Sequence, residues 1–168
     1  MPRLFALDEN FPEPIVDSLT PFLVEAELVP LDRIDPRLSE MDDWELILSL
    51  HHHERAWDGL ITTDSSMLKQ PREMAAIRQT SLTVVVARAA GHDPILATGL
   101  VLAHLGWVCA HTTPTKPQVW ELATINKAAK DPWTLLEAIA NHQNRAIGDV
   151  WAEARLTTTE LRQDPLRG

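Results

Sequence analysis

One cysteine, Cys109, stands alone in a chain of 168 residues. No internal disulfide can form, which suits a reducing cytoplasm, and the expected role of Cys109 is that of a small core residue. Long apolar runs are also lacking. The most apolar stretch, Ile95 to Leu105, is shorter than the roughly 20 residues of a membrane span. The N-terminus carries charge within its first ten residues, so neither a signal peptide nor a membrane helix is expected and the predicted location is cytoplasmic. Cations are scarce as well. Fifteen Lys and Arg face 24 Asp and Glu, a formal charge of −9, which argues against a broad basic footprint for nucleic acid. No repeat is present, and a chain of this length buries one sizeable core without metal or disulfide staples.

What is there is unevenly spread. Met1 to Asp64 holds fifteen acidic and four basic residues, a net of −11, whereas Lys69 to His92 holds Lys69, Arg72, Arg78 and Arg88 against Glu73, a net of +3. A phosphate-attracting patch beside an acidic one is therefore compatible with the composition.

Hydrophobic patterning alternates between strand and helix. Arg3 to Leu7, Glu27 to Leu31, Gly59 to Thr62, Leu82 to Ala87 and Val119 to Leu122 read as strands. Pro12 to Val24, Asp43 to Glu54, Pro71 to Thr80, Asp93–Pro94 to about Leu105 and Pro132 to about Arg155 read as helices. Such alternation predicts right-handed crossovers and a three-layer α/β/α architecture with a mostly parallel central sheet, in one domain over residues 1–156. Residues 157–168 read as a polar tail without fixed structure. The helix from Ile95 to Leu105 is apolar on nearly every side, more than one sheet contact requires, which suggests a self-association surface and a possible homodimer.

In a parallel α/β sheet, ligands bind outside the carboxyl ends of the strands. Two predicted strands end in acid there: Asp8 with Glu9 in "ALDENFPEPI", and Asp64 in "GLITTDSS". Asp43 joins them by helical phase, because it shares a face with Leu46, Ile47 and Leu50, whereas Asp42 is rotated toward solvent with Glu45 and Ser49. Each acid has a simpler reading. Asp8 and Glu9 suit a turn or cap, Asp43 complements a helix dipole, and Asp64 suits the N-cap of a short helix. Together they ask for a counter-charge, since close carboxylate pairs repel by about 4 kcal/mol at an effective dielectric near 20. An all-oxygen set without Cys or a spaced His pair selects Mg²⁺ or Mn²⁺ over Zn²⁺. Adjacent His51, His52 and His53 cannot clamp one ion from one helix and read as a solvated helix end. His92 sits beside Asp93, which reads as a cap before Pro94.

The segments "LDENFPEPIVDSL", "MDDWELIL", "DGLITTDSSML" and "LTVVVARAAGHDPILATGLVLAHL", in that order, resemble the PIN-like domain family, closest to the branch grouped with Vap-type ribonuclease toxins, over roughly residues 3–140. The resemblance implies a metal-dependent endoribonuclease acting on RNA, with a cognate antitoxin protein as partner. It implies that Asp8, Asp43 and Asp64, with Glu9, hold Mg²⁺ or Mn²⁺. Related chains often carry another acid just after the "TTD" element, where this one has Ser65 and Ser66. For such chemistry Thr62, Thr63 and Ser66 are candidates to orient water or phosphate, and Lys69 and Arg72 to grip substrate phosphates. Two other readings share these residues. One is a PIN-like fold with a weakened site that binds RNA or a protein without cutting. The other is a receiver-like phosphoacceptor domain, whose lysine near the last strand Lys116 in "TKP" imitates.

Overall fold

The computed structural model describes residues 1–88, 93–123 and 128–167. Five strands form one all-parallel sheet: β1 (Arg3–Leu7), β2 (Ala26–Pro30), β3 (Gly59–Thr62), β4 (Thr83–Ala87) and β5 (Gln118–Leu122), in the order β2-β1-β3-β4-β5. The helices are α1 (Glu13–Leu19), α2 (Leu31–Ile34), α3 (Asp43–His52), α4 (Pro71–Thr80), α5 (Pro94–His111), α6 (Pro132–His142), α7 (Ile147–Ala154) and α8 (Thr158–Arg162). The predicted three-layer α/β/α architecture is the one observed.

Strand periodicity sorts the two layers. Ala6, Leu60, Val84, Val86 and Val119 point to one face, where they pack with Leu46, Ile47 and Leu50 of α3, Met74 and Ile77 of α4, and Leu136 and Val150 of α6 and α7. Phe5, Leu7, Ile61, Val85 and Trp120 point to the other, against Val16 of α1 and Ala97, Val101, Leu105 and Val108 of α5. Successive side chains on a strand face opposite ways, and central parallel strands bury both faces, hence the unbroken Val84–Val86 run. At Gly59 the strands leave no room for a side chain, since a Cβ there would lie 1.9 Å from the Thr83 carbonyl oxygen.

Several expectations need correction. The tail is folded: Thr157 and Glu160 form a reciprocal capping box that starts α8, and Leu161 and Leu166 pack against the α3–α4 side of the core. Its carbonyls are taken up too, by His52 Nε2 at 2.6 Å from Leu161 O and by the Arg37 guanidinium at 3.0 Å from Leu166 O. The same contact corrects the reading of the histidines. His52 pins the tail and His53 packs edge-on against Trp57, while His51 stays exposed. The third correction concerns length. α5 runs on to His111, and its 18 residues, Pro94–His111, are long and apolar enough to cross a membrane by length and composition. In the fold its buried stripe lies on the sheet, while Ile95, Leu96 and Trp107 are 69, 46 and 45% exposed.

Cys109 packs beside α5's buried stripe, and burial pushes its thiol up to about 11. A thiol held so far above neutrality is a weak nucleophile, consistent with a packing role.

Candidate functional site

Because every strand is parallel, each helix that follows a strand begins at the carboxyl edge of the sheet, and that edge gathers the acids. Asp8 extends β1 by one more ladder bond, its amide donating to Ile61 O at 3.0 Å. Period two then puts Asp8 on the same side as Leu4 and Ala6, the side covered by α3 and α4. Thr62, the last residue of β3, shares that side with Leu60. Its hydroxyl is 3% exposed with the rest of the residue; it donates to Asp8 Oδ2 at 2.7 Å and accepts from the Asp64 amide at 3.0 Å. One buried hydroxyl thus ties the first acid to the third.

Asp43 comes from the opposite direction, as the first residue of α3. Helical phase turns it half inward, as the spacing to Leu46, Ile47 and Leu50 predicts, while Asp42 stands just outside the helix as its N-cap, with extended backbone, and is exposed. Its carboxyl is held above the usual carboxylate range, by burial first and then by the negative charges of Asp64, Asp8 and Asp42. Three segments far apart in sequence therefore place acids within one another's field. Glu73, in the first turn of α4, extends the cluster. Burial is the main cause that raises it, the charges of Asp43 and Asp42 add to that, and its own amide and Arg72 pull the other way. Sequence reading passes over Glu73, although its spacing of three, four and seven to the buried Ala76, Ile77 and Thr80 is the same phase signal that singles out Asp43.

Raised carboxyls bind protons more tightly folded than unfolded, so Asp43 and Glu73 oppose folding as pH rises out of the ordinary carboxylate range.

The remaining candidates divide. Glu9 is exposed in the turn after β1, and its amide donates to Asp8 Oδ1 at 2.7 Å. It holds Asp8 through its backbone, and its carboxylate is not among the charges acting on Asp43. Asp64 carries two roles, since its Oδ1 accepts from the Ser66 amide at 2.7 Å and caps the 3₁₀ turn Ser65–Lys69, the capping role that its simpler reading assigned. Thr63, Asp64, Ser65, Ser66, Lys69, Asn10 and Arg88 line an open groove of about 720 Å³. Asp8 and Asp43 lie outside that lining, so the acids and the groove meet at Asp64.

Two of the predicted substrate-binding residues, Thr62 and Arg72, have protein partners in this structure. The Thr62 hydroxyl is committed on both sides and buried, so it positions Asp8 and Asp64 and does not face phosphate. Arg72 lies over the Trp44 ring at 4.0 Å and pairs with Glu160 at 2.6 Å, which fastens α4 to α8. Asp93 accepts from the amides of Ile95 and Leu96, at 3.0 and 3.1 Å, as the cap of α5. His92 lies outside the described residues.

Among the described residues, no three His, Cys, Asp or Glu side chains are gathered closely enough to enclose a metal ion. The acids that do come near one another offer carboxylate oxygens, the donor type that hard cations take. Mg²⁺ keeps several of its waters and commonly takes one or two protein carboxylates, a mode for which an open set is suited and a closed cage unnecessary.

Thr62→Val is expected to lower metal-dependent activity about 10- to 100-fold, the scale on which outer-shell partners act, because it frees Asp8 and orphans the Asp64 amide at nearly constant volume. Thr62→Ser, which keeps the hydroxyl, is expected to restore most of it. Mn²⁺ affinity measured for both variants checks this, and equal losses would assign Thr62 a packing role.

Comparison with known protein families, with curated proteins and with solved structures finds no match to this chain.

Proposed function

We propose that this chain is a Mg²⁺- or Mn²⁺-dependent endoribonuclease of the PIN-like type, acting as the toxin of a toxin–antitoxin pair. The observation that carries the reading is the placing of acids from three segments at the carboxyl edge: Asp8 and the Asp64 amide joined through the Thr62 hydroxyl at 2.7 and 3.0 Å, and half-buried Asp43 at the start of α3. An acid cluster without a counter-ion is costly, and carboxylates that meet an open groove at Asp64 suit a divalent cation that keeps several of its own waters, the kind of ion on which phosphodiester hydrolysis runs. Such an ion, when bound, supplies a water of lowered pKa and neutralises charge building on the phosphoryl oxygens. Asp8, fixed by Thr62 and the Glu9 amide, Asp64, fixed by Ser66, and Asp43 on α3 would hold it. Thr63, Ser66 and Lys69 face the space where substrate would lie.

Purified protein is expected to cut single-stranded RNA in Mn²⁺ or Mg²⁺ and to stop in EDTA. Undiminished cleavage in EDTA overturns the metal mechanism. The open acid geometry, with Ser65 and Ser66 after Asp64, favours one second reading, a module that binds RNA or a protein without cutting; RNA bound yet intact in Mn²⁺ would select it. The strand order is also that of receiver domains, but Lys116 precedes β5 and lines a different groove with Gln118 and Lys130. Ala87, not Ser or Thr, closes β4, and a receiver leaves the inward Asp43 without a role.

A further inference from the structure

Among the described residues, the groove is lined by two acids, Asp64 and the α5 cap Asp93, and by two cations whose surroundings differ. Lys69, at the end of the 3₁₀ turn Ser65–Lys69, takes part in no salt bridge recorded among the described residues. Arg88, directly after β4, is 58% exposed and touches Glu121 on β5 at 3.2 Å. Glu121 is only 12% exposed, and the same Oε2 also accepts from Lys130 Nζ at 3.1 Å. Removing the partner of an isolated, nearly buried carboxylate is costly. Here Lys130 remains, so Arg88 can swing into the groove without orphaning Glu121. An exposed arginine on a shared carboxylate is therefore available to a stronger ligand in a way that Arg72, stacked on Trp44 and bound to Glu160, is not.

The groove lining adds two more facts. Among the described residues it includes the hydroxyls of Thr63, Ser65 and Ser66 and the Asn10 amide, all suited to phosphate and sugar oxygens, and no aromatic side chain on which a base could stack. Proteins that hold single strands through their bases rely on such stacking, whereas Lys and Arg contacts to phosphate are indifferent to sequence.

We infer that Lys69 and Arg88 form a two-point grip on the sugar–phosphate backbone of a single-stranded RNA, next to the phosphate presented to Asp64, and that Arg88 leaves Glu121 to make it. This rests on the nuclease reading for the identity of the ligand. The grip holds the strand by charge, so it sets affinity and leaves the choice of sequence to other parts of the protein.

The test is fluorescence anisotropy of a short labelled single-stranded RNA, titrated in EDTA with the full chain, with Lys69→Ala, with Arg88→Ala and with the double variant, over a range of salt. Each single variant is expected to weaken binding several-fold and the double variant about 10-fold. Each lost contact should also flatten the slope of log affinity against log salt by about 0.7, the increment for one phosphate on a single strand. Arg88→Lys, which keeps the charge, is expected to recover most of the slope, and a homopolymer of uridine and one of adenosine should suffer alike. The same four proteins are then assayed for cleavage in Mn²⁺. Variants that bind with unchanged affinity and slope while the wild type cuts RNA overturn the grip and leave the nuclease intact. Losses of affinity and slope with no cleavage by any protein support the grip and overturn the nuclease. Wild-type protein that binds no RNA at low salt overturns the grip directly.

Discussion

Asp8→Asn is expected to lower Mn²⁺-dependent RNA cleavage by at least about 100-fold, the upper end of what even outer-shell partners of a metal cost, while moving the metal-free melting temperature by no more than about 4 °C, roughly 1 kcal/mol for a chain of this size. Two opposing effects set the small thermal change. Asparagine removes one negative charge from the field at Asp43, which favours the folded state without metal. It also weakens two charge-assisted bonds, from the Glu9 amide and the Thr62 hydroxyl, both at 2.7 Å. The asparagine carbonyl can still accept from the Glu9 amide, so the turn keeps its shape. Charge removal alone would favour the folded state, and the weakened hydrogen bonds bring the sum to near balance. A drop far beyond this range, with cleavage retained, would make Asp8 a turn residue and nothing more. Thermal melts in EDTA and single-turnover cleavage in Mn²⁺ measure the two effects separately.

Asp43→Asn and Asp42→Asn are expected to part by a similarly large factor, although the residues are neighbours of identical chemistry. Asp42 is exposed, and as N-cap of α3 its side chain makes no capping bond, so asparagine there removes little. Asp43 is half-buried and raised by burial, Asp64 and Asp8. Its replacement should abolish most metal-dependent cleavage and also raise the metal-free melting temperature at neutral pH, because an ionised carboxylate that the folded state disfavours is gone. The sign follows from linkage. The folded protein holds the Asp43 proton more tightly than the unfolded chain, so stability falls as pH rises from the unfolded value toward the folded one. The wild type should therefore lose stability across that interval relative to Asp43→Asn, and the two melting curves should converge at lower pH. Equal effects of the two variants on cleavage would mean that the phase of α3 does not decide which acid serves the site.

Most of the sheet was legible because its signal is short range. The Val84–Val86 run, the acids closing β1 and β3, and the proline starts of α4 and α5 each announce themselves within a few residues. The inward turn of Asp43 was legible for the same reason, since helical phase depends on spacing alone. What escaped depends on distant partners. Arg72 looked like a phosphate contact because it follows Asp64 closely, yet its direction is set by Trp44, 28 residues before it, and Glu160, 88 residues after it. The tail looked unstructured because its composition is polar. Its Thr157-to-Glu160 spacing is nonetheless that of a capping box, and Leu161 and Leu166 supply the apolar contacts. The predicted single helix from Pro132 to Arg155 is broken at Asn144, which takes a left-handed φ of 53°. Asparagine tolerates that region, so α6 and α7 form two segments. Thr62 was noticed for its hydroxyl but given the wrong partner, since only the register of β1 beside β3 shows that Asp8 lies within its reach.

The most direct test of a cation site at the carboxyl edge is a titration of the purified chain with Mn²⁺, followed by electron paramagnetic resonance of the free ion at neutral pH, beside Asp8→Asn, Asp43→Asn and Asp42→Asn. Saturable binding by the wild type and by Asp42→Asn, with at least about a 10-fold loss of affinity in Asp8→Asn and Asp43→Asn, is the predicted result. Failure of the wild type to bind Mn²⁺ at millimolar concentration, or binding that survives both Asp8→Asn and Asp43→Asn, would contradict it.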